Sequence, residues 1–224
     1  MTEVEINGVP SMRLICTPEH LPELIVGRLL SEGMADDVSQ IRLIHVCETG
    51  ARVSVVLEKT PKEEDSPVPD TAASCCTGNQ IISDRFRSDL PDGQIASVTW
   101  DPVWLTNALT EMETRTPLFD LTRSVHSCGL IYAGKLLYCF EDIGRHNAVD
   151  KAIGAAARDG LDLNKCLLLS TGRIATDMAE KAIRVRIPVF GTTKFATDKA
   201  VQLAKKYALT LAVYVREDRV TILN

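Results

Sequence analysis

Apolar and polar positions alternate along the first 60 residues in short runs that predict an α+β unit. Val4 to Ile6 and Met12 to Cys16 are strand-like runs on either side of Asn7-Gly8, a dipeptide that supplies the positive φ angles of a tight hairpin. Thr17-Pro18 marks a helix start, and Leu21, Leu24, Ile25 and Leu29 recur on one helical face until Gly33 offers a stop. Ile41 to Val46 and Arg52 to Leu57, rich in β-branched residues around Glu48-Thr49-Gly50, predict a second hairpin. Residues 59–70 then hold three prolines and no apolar period, which predicts an exposed, mobile linker that delivers the small-residue segment TAASCCTGNQ at 71–80.

After Asp101-Pro102, Trp104, Leu105, Ala108, Leu109 and Met112 form the buried stripe of another helix. From about residue 117 the period changes repeatedly between strand and helix. Gly129 to Ala133 and Leu136 to Phe140 pair around Gly134-Lys135, and an alanine-rich helix runs from Asn147 to Arg158. Strand Cys166 to Leu169, helix Thr176 to Val185, strand Pro188 to Phe190, helix Thr197 to Tyr207 and strand Thr210 to Val215 complete the order. The predicted fold class is α/β. Residues 117–224 form a three-layer α/β domain with helices on a largely parallel sheet, preceded by a smaller α+β domain over residues 1–116 that carries a cysteine loop at 59–80.

Composition narrows the function classes. Of 224 residues, 45% are hydrophobic and 25% charged, and mean hydropathy is +0.02, the balance of a chain that buries a core. No apolar run approaches the roughly 18 residues of a membrane span. Thirty acidic residues against 25 basic ones give a net charge of -5, which argues against nucleic acid as a partner. The N-terminal MTEVEINGVPSM lacks the basic and apolar regions of a secretory signal, and seven cysteines with one close pair do not form a disulfide framework. Free thiols and a cytoplasmic location are the expectation.

In α/β domains, ligands bind at the carboxyl ends of strands. Four polar loops fall there: Glu141 to Asn147, Ser170 to Arg173, Gly191 to Lys194, and Arg216 to Arg219. Three lead into helices, and Arg145, Arg173, Lys194, Arg216 and Arg219 add cations, so a phosphate-bearing ligand fits. His146, at a helix start beside Arg145, is placed to stay neutral and to hydrogen-bond a ligand. Cys75 and Cys76 are the sharpest chemical feature. A thiol among small residues after a linker has the access that redox, acyl or sulfur transfer requires, and adjacent cysteines do not reach the usual disulfide geometry. Cys16, Cys47, Cys139 and Cys166 fall in predicted strands and read as small core hydrophobes. His126 and Cys128 lack the further ligands of a zinc site, so no bound metal is expected.

The runs EDIGRHNAVDKAIG, STGR and FGTTKFATDKAVQLA, together with LIVGRLLSEGM at 24–34, resemble the FdhD/NarQ family of formate dehydrogenase accessory sulfurtransferases over nearly the whole chain. The resemblance implies a fold similar to cytidine deaminase and a persulfide on a loop cysteine. Sulfur would come from a cysteine desulfurase and pass to the molybdenum cofactor, as bis-molybdopterin guanine dinucleotide, before that cofactor enters the catalytic subunit of formate dehydrogenase. Many members carry C-x-x-C in the loop. Here the run is Ser74-Cys75-Cys76-Thr77-Gly78, which aligns the first cysteine with Cys75 and leaves Cys76 as an alternative or helper. Tyr214, Val215, Arg216, Glu217, Asp218 and Arg219 align with the stretch assigned to cofactor binding, with Arg145, His146, Arg173 and Lys194 as further contacts. The expected assembly is a homodimer. Where the deaminase fold has its zinc motif this chain has His126-Ser127-Cys128 and no second cysteine pair, so a zinc-dependent nucleotide hydrolase is not supported. A non-catalytic chaperone that binds the cofactor is the alternative from another class.

Overall fold

Asn7 and Gly8 take φ angles of 50° and 78° and turn β1 (Thr2–Ile6) back onto β2 (Val9–Leu14) as the sequence predicts. The computed structural model describes residues 1–62 and 79–223. Helix α1 (Leu21–Ser31) follows, with Gly33 in the left-handed region at φ 71° beyond its end. It starts a turn later than Thr17-Pro18 predicts. The Thr17 N–H is committed to the Asp142 carboxylate and the Thr17 carbonyl to Lys151, so this stretch is extended against the second half of the chain. Strands β3 (Ile41–Val46) and β4 (Arg52–Leu57) form the second hairpin, and the short β5 (Gln80–Ile81) adds to β2. The sheet order is β3-β4-β1-β2-β5. Its buried face, with Val4, Ile6, Met12, Leu14, Val53 and Val55, packs on Leu24, Ile25 and Leu29 of α1.

The second sheet comes from the rest of the chain. Helices α2 (Val103–Glu113) and α3 (Pro117–Thr122) precede β6 (His126–Tyr132) and β7 (Lys135–Asp142), and α4 (Arg145–Arg158) follows. Then come β8 (Cys166–Ser170), α5 (Thr176–Arg184), β9 (Val189–Thr192), α6 (Asp198–Tyr207), β10 (Thr210–Val213) and β11 (Thr221–Leu223). The order is β11-β10-β9-β8-β6-β7. This sheet is mixed, which corrects the expectation of a largely parallel one: β8, β9 and β10 run parallel, while β6, β7 and β11 join antiparallel. The cause is local. Ala133 and Gly134 both have positive φ, at 49° and 78°, and form a two-residue turn that allows β6 and β7 no other arrangement.

Three layers result. Ala148, Val149, Ala152 and Ile153 of α4, with Met178, Ala182 and Ile183 of α5 and Ala200 and Ala204 of α6, cover one face of the sheet. Leu105, Ala108, Leu109 and Met112 of α2 cover the other against Ile131, Leu136, Leu167 and Leu169. Helix α2, which the sequence reading grouped with the first 116 residues, thus packs on the second sheet. Glycine sets the spacing at the turn beside it, since Trp104 lies where a Cβ on Gly134 would be 3.0 Å from its ring.

Candidate functional site

The two halves meet where α1 lies across α4, and the contact is polar at its centre. Lys181 Nζ donates to Asp150 Oδ1 at 3.0 Å, to Glu32 Oε1 at 2.7 Å and to Ser31 Oγ at 2.9 Å. Arg28 Nη1 lies 3.2 Å from both Asp150 Oδ2 and Glu32 Oε1. A second cluster adjoins it: Lys151 Nζ is 2.7 Å from Asp142 Oδ2, both side chains are fully buried, and Asp142 also accepts from Asn147 Nδ2 at 2.8 Å and from the Gly144 N–H at 2.9 Å. Asn147 Oδ1 accepts from Asn79 Nδ2 at 2.7 Å, which ties the residue following the cysteine segment into this interface. Burial pushes the Glu32 carboxyl upward, but the ammonium of Lys181 and the guanidinium groups of Arg28 and Arg87 outweigh it and hold the group down to about 2.

The four polar loops lie along one edge of the second sheet. Because β6 runs antiparallel to β8, the start of β6 lies beside the ends of β7, β8, β9 and β10, and Thr171 N donates to the Ser127 carbonyl at 3.0 Å. Gly172 gives Arg145 its place, since a Cβ there would fall 2.8 Å from Arg145 Cβ. Arg145 Nε is buried with no hydrogen-bond partner among the described residues. Arg173, Lys194 and Arg219 are exposed. Arg216 is spent on the loop itself: its Nη1 donates to the carbonyls of Thr193 at 2.7 Å and Val215 at 2.8 Å, and its guanidinium lies over the Tyr214 ring at 5.5 Å. Tyr214 has φ 52° and meets Phe195 edge-on at 3.9 Å, while Val215 is buried beneath. Glu217 and Asp218 are exposed between the arginines. Two of the three helix N-termini behind the rim carry their own carboxylates, Asp177 and Asp198, so the cationic side chains are the stronger anion-binding element.

Beside the rim a cleft of about 510 Å³ opens between α2, α3 and the sheet edge, lined by Leu109, Met112, Phe119, His126, Thr171 and Lys194. Burial, with Arg145, His146 and Lys194 nearby, lowers the His126 pKa, so its ring is neutral at physiological pH. The α2 and α3 contributions escape sequence reading because Leu109 and Met112 look like ordinary core positions. His146 turns the other way. Its Nε2 sits 2.8 Å from Asp177 Oδ2, and the ring lines a small cavity between the halves. The structure thus separates His146 from its neighbour Arg145 on the rim.

Cys75 and Cys76 lie outside the described residues. The remaining thiols divide. Cys166 is buried as expected, Cys128 is buried as well, and burial pushes Cys166 up to about 12 and Cys128 well above its ordinary value. Cys139, in β7, is only half-buried and is also pushed up to about 12, mainly by burial. Cys47 departs from the core reading. It stands past the end of β3, where the Thr49 hydroxyl at 3.4 Å and the Arg52 N–H at 3.2 Å hold its thiol down to about 7. Cys16 likewise lies beyond its strand, against Thr2. Among the described residues, no group of three His, Cys, Asp or Glu side chains is arranged to hold a metal, and no helix is long and apolar enough to cross a membrane.

The profile of the FdhD/NarQ family matches residues 1–224. The chain belongs to that family. The sulfur carrier protein FdhD of Xanthomonas axonopodis pv. citri is 33% identical over 219 residues, covering 94% of this chain and 77% of that protein. Its Bacillus subtilis counterpart is 28% identical over 217 residues, covering 95% of this chain and 82% of that protein. A crystal structure from Desulfotalea psychrophila, assigned as a formate dehydrogenase accessory protein, superposes with a TM-score of 0.75 at 26% identity, covering 100% of this chain and 85% of that one. Seen in this FdhD/NarQ chain, the EDIGRHNAVDK run is chiefly interior: Asp142, His146, Asn147, Asp150 and Lys151 are all fully buried.

Proposed function

We propose that this chain is a sulfur carrier that serves formate dehydrogenase maturation. The observation that carries the reading is the match to proteins named sulfur carrier over 94% of the chain, in a sequence that places Cys75 and Cys76 together. Cys75 takes sulfur from a cysteine desulfurase: its thiolate attacks the terminal sulfur of the donor persulfide, a new S–S bond forms as the donor's breaks, and the donor leaves as a thiol. The acceptor is the guanine dinucleotide form of the molybdenum cofactor, bound as a substrate at the rim. The cations Arg145, Arg173, Lys194 and Arg219 face its pyrophosphate, and the adjoining cleft offers an apolar floor to a planar ring. A homodimer in the cytoplasm and handover to the catalytic subunit of formate dehydrogenase complete the proposal.

Intact mass after incubation with a desulfurase and cysteine tests it. The chain gains a sulfur atom, Cys75→Ala does not, and Cys76→Ala retains part of the uptake. Uptake by Cys75→Ala but not by Cys76→Ala would reverse the assignment. Cofactor binding without uptake in the unaltered chain would identify a non-catalytic chaperone instead.

A further inference from the structure

The cleft of about 510 Å³ beside the rim carries one carboxylate among the described residues, Glu113, the last residue of α2. Its side chain is exposed, and among the described residues it makes no hydrogen bond or ion pair. The neighbouring polar groups of the cleft are engaged. Thr171 Oγ1 accepts the Ser127 N–H at 2.9 Å, Ser124 Oγ donates to the Thr122 carbonyl at 2.8 Å, and Arg123 pairs with Asp120 at 3.5 Å while lying 4.9 Å over the Phe119 ring. Glu111, two residues earlier on α2, is paired with Arg115 outside the cleft.

The apolar part of the cleft is held in place. Glu141 accepts the Leu118 and Phe119 N–H groups at 2.9 and 2.7 Å, which fixes the start of α3 against the end of β7, and Met112 is buried beside Glu113. Thr193 and Lys194 of the rim line the same cleft. One ligand can therefore meet the cations with its phosphate and Glu113 with its ring inside one continuous space of ordinary ligand-pocket size.

A carboxylate offers acceptors only, so it selects a ligand edge made of donors. The 2-amino-4-oxopyrimidine edge, common to guanine and to a pterin, sets a ring N–H beside an exocyclic amino group, two parallel donors that match the two carboxylate oxygens. Adenine sets a ring-nitrogen lone pair beside its amino group, which would face one oxygen with another acceptor. Resting on the reading of the rim as the site of a guanine dinucleotide cofactor, we infer that Glu113 determines the specificity of the cleft, its two oxygens accepting the ring N–H and the amino group of a 2-amino-4-oxopyrimidine whose ring lies among Phe119, Leu109 and Met112. The sign of the effect is diagnostic. A carboxylate that merely stood near the pyrophosphate would repel it, and its removal would strengthen GDP binding, whereas removal of a carboxylate bonded to the ring weakens it.

Titration calorimetry of GDP, IDP, ADP and free pterin into the full chain and into Glu113→Gln tests this, with circular dichroism to confirm folding. IDP keeps the ring N–H of guanine and lacks the amino group. With guanine at Glu113, the parent prefers GDP to IDP roughly tenfold and GDP to ADP about a hundredfold, and Glu113→Gln lowers GDP affinity about tenfold and removes most of the preference over IDP. Glu111→Gln, which takes an equal charge from α2 outside the cleft, leaves the GDP to IDP ratio unchanged. A loss confined to pterin supports the same edge with the pterin end of the cofactor at Glu113. Affinities for GDP and pterin that are both unchanged or raised in folded Glu113→Gln overturn the role of Glu113, as does a loss equal for GDP, IDP and ADP. A parent chain that binds neither GDP nor pterin refutes the cofactor reading of the rim itself.

Discussion

Gly27 of α1 and Gly154 of α4 meet at the crossing of their helices with no room for a side chain on either. A Cβ on Gly27 would fall 1.7 Å from the Asp150 carbonyl oxygen, and one on Gly154 would fall 1.9 Å from that of Glu23. The obstructing atoms are backbone, which cannot step aside as a flexible side chain would. Helix propensity alone favours alanine over glycine by about 1 kcal/mol. Here the sign reverses: Gly27→Ala and Gly154→Ala each destabilise by about 3 kcal/mol or more, because the helices must separate around a well-packed contact. Urea unfolding measures the loss. A neutral or stabilising effect at either position would show that the crossing is looser than described.

The same interface makes stability depend on acid. Glu32 is held down to about 2 against an ordinary value of 4.5. A carboxyl depressed in the folded state contributes its full stability above the unfolded value and loses it as pH falls through the folded one, so the loss runs from about pH 4.5 to 2 and amounts to about 3 kcal/mol. In Glu32→Gln that part of the acid transition disappears. Lys181→Met, which leaves Asp150 and Glu32 buried without their ammonium, costs about 3–5 kcal/mol at neutral pH. Unfolding curves collected from pH 3 to 7 compare the three chains. An identical acid profile in Glu32→Gln would remove Glu32 from the account.

These two findings also mark how far the sequence could be read. The first hairpin was legible because Asn7-Gly8 leaves the backbone little choice, and β3 and β4 because their β-branched runs are bounded by Glu48-Thr49-Gly50. The rim loops followed from strand ends. The ion clusters did not follow, because Asp150 and Lys151 in an alanine-rich helix look like solvated charges. Their burial depends on α1 covering α4, a contact between residues more than a hundred positions apart. The direction of His146 was hidden for the same reason, since its partner Asp177 lies on another helix. The hairpin of β6 and β7 was legible around Gly134, whereas the antiparallel pairing of β6 with β8 was not, because it joins strands that α4 separates in sequence.

Cys47 gives a prediction of contrast among the thiols. With its pKa held down to about 7 by the Thr49 hydroxyl and the Arg52 N–H, it is substantially thiolate at pH 7.5, whereas Cys139 and Cys166, at about 12, are not. Brief treatment with iodoacetamide at that pH labels Cys47 well ahead of those two, as peptide mapping would show. Thr49→Val removes the leading contact and slows the labelling several-fold. Equal labelling of Cys47 and Cys139 would contradict the hydrogen-bonded thiolate.

The rim makes the last prediction, because its arginines are not equivalent. Arg173 and Lys194 are exposed and turned to solvent, so Arg173→Ala and Lys194→Ala each remove a charge-assisted contact to a pyrophosphate, worth about 1.5–3 kcal/mol or a roughly tenfold to hundredfold loss of GDP affinity. Arg216 acts through the loop. Without its bonds to the Thr193 and Val215 carbonyls the Tyr214 to Arg219 turn loosens, so Arg216→Ala weakens guanosine as well as GDP. Salt discriminates further, screening GDP binding but not guanosine binding, since only the nucleotide presents charge to the exposed cations. Titration calorimetry of both ligands into the three variants, with circular dichroism to confirm folding, reads the difference. If GDP affinity is unchanged in folded Arg173→Ala and Lys194→Ala, the phosphate does not bind at the strand ends.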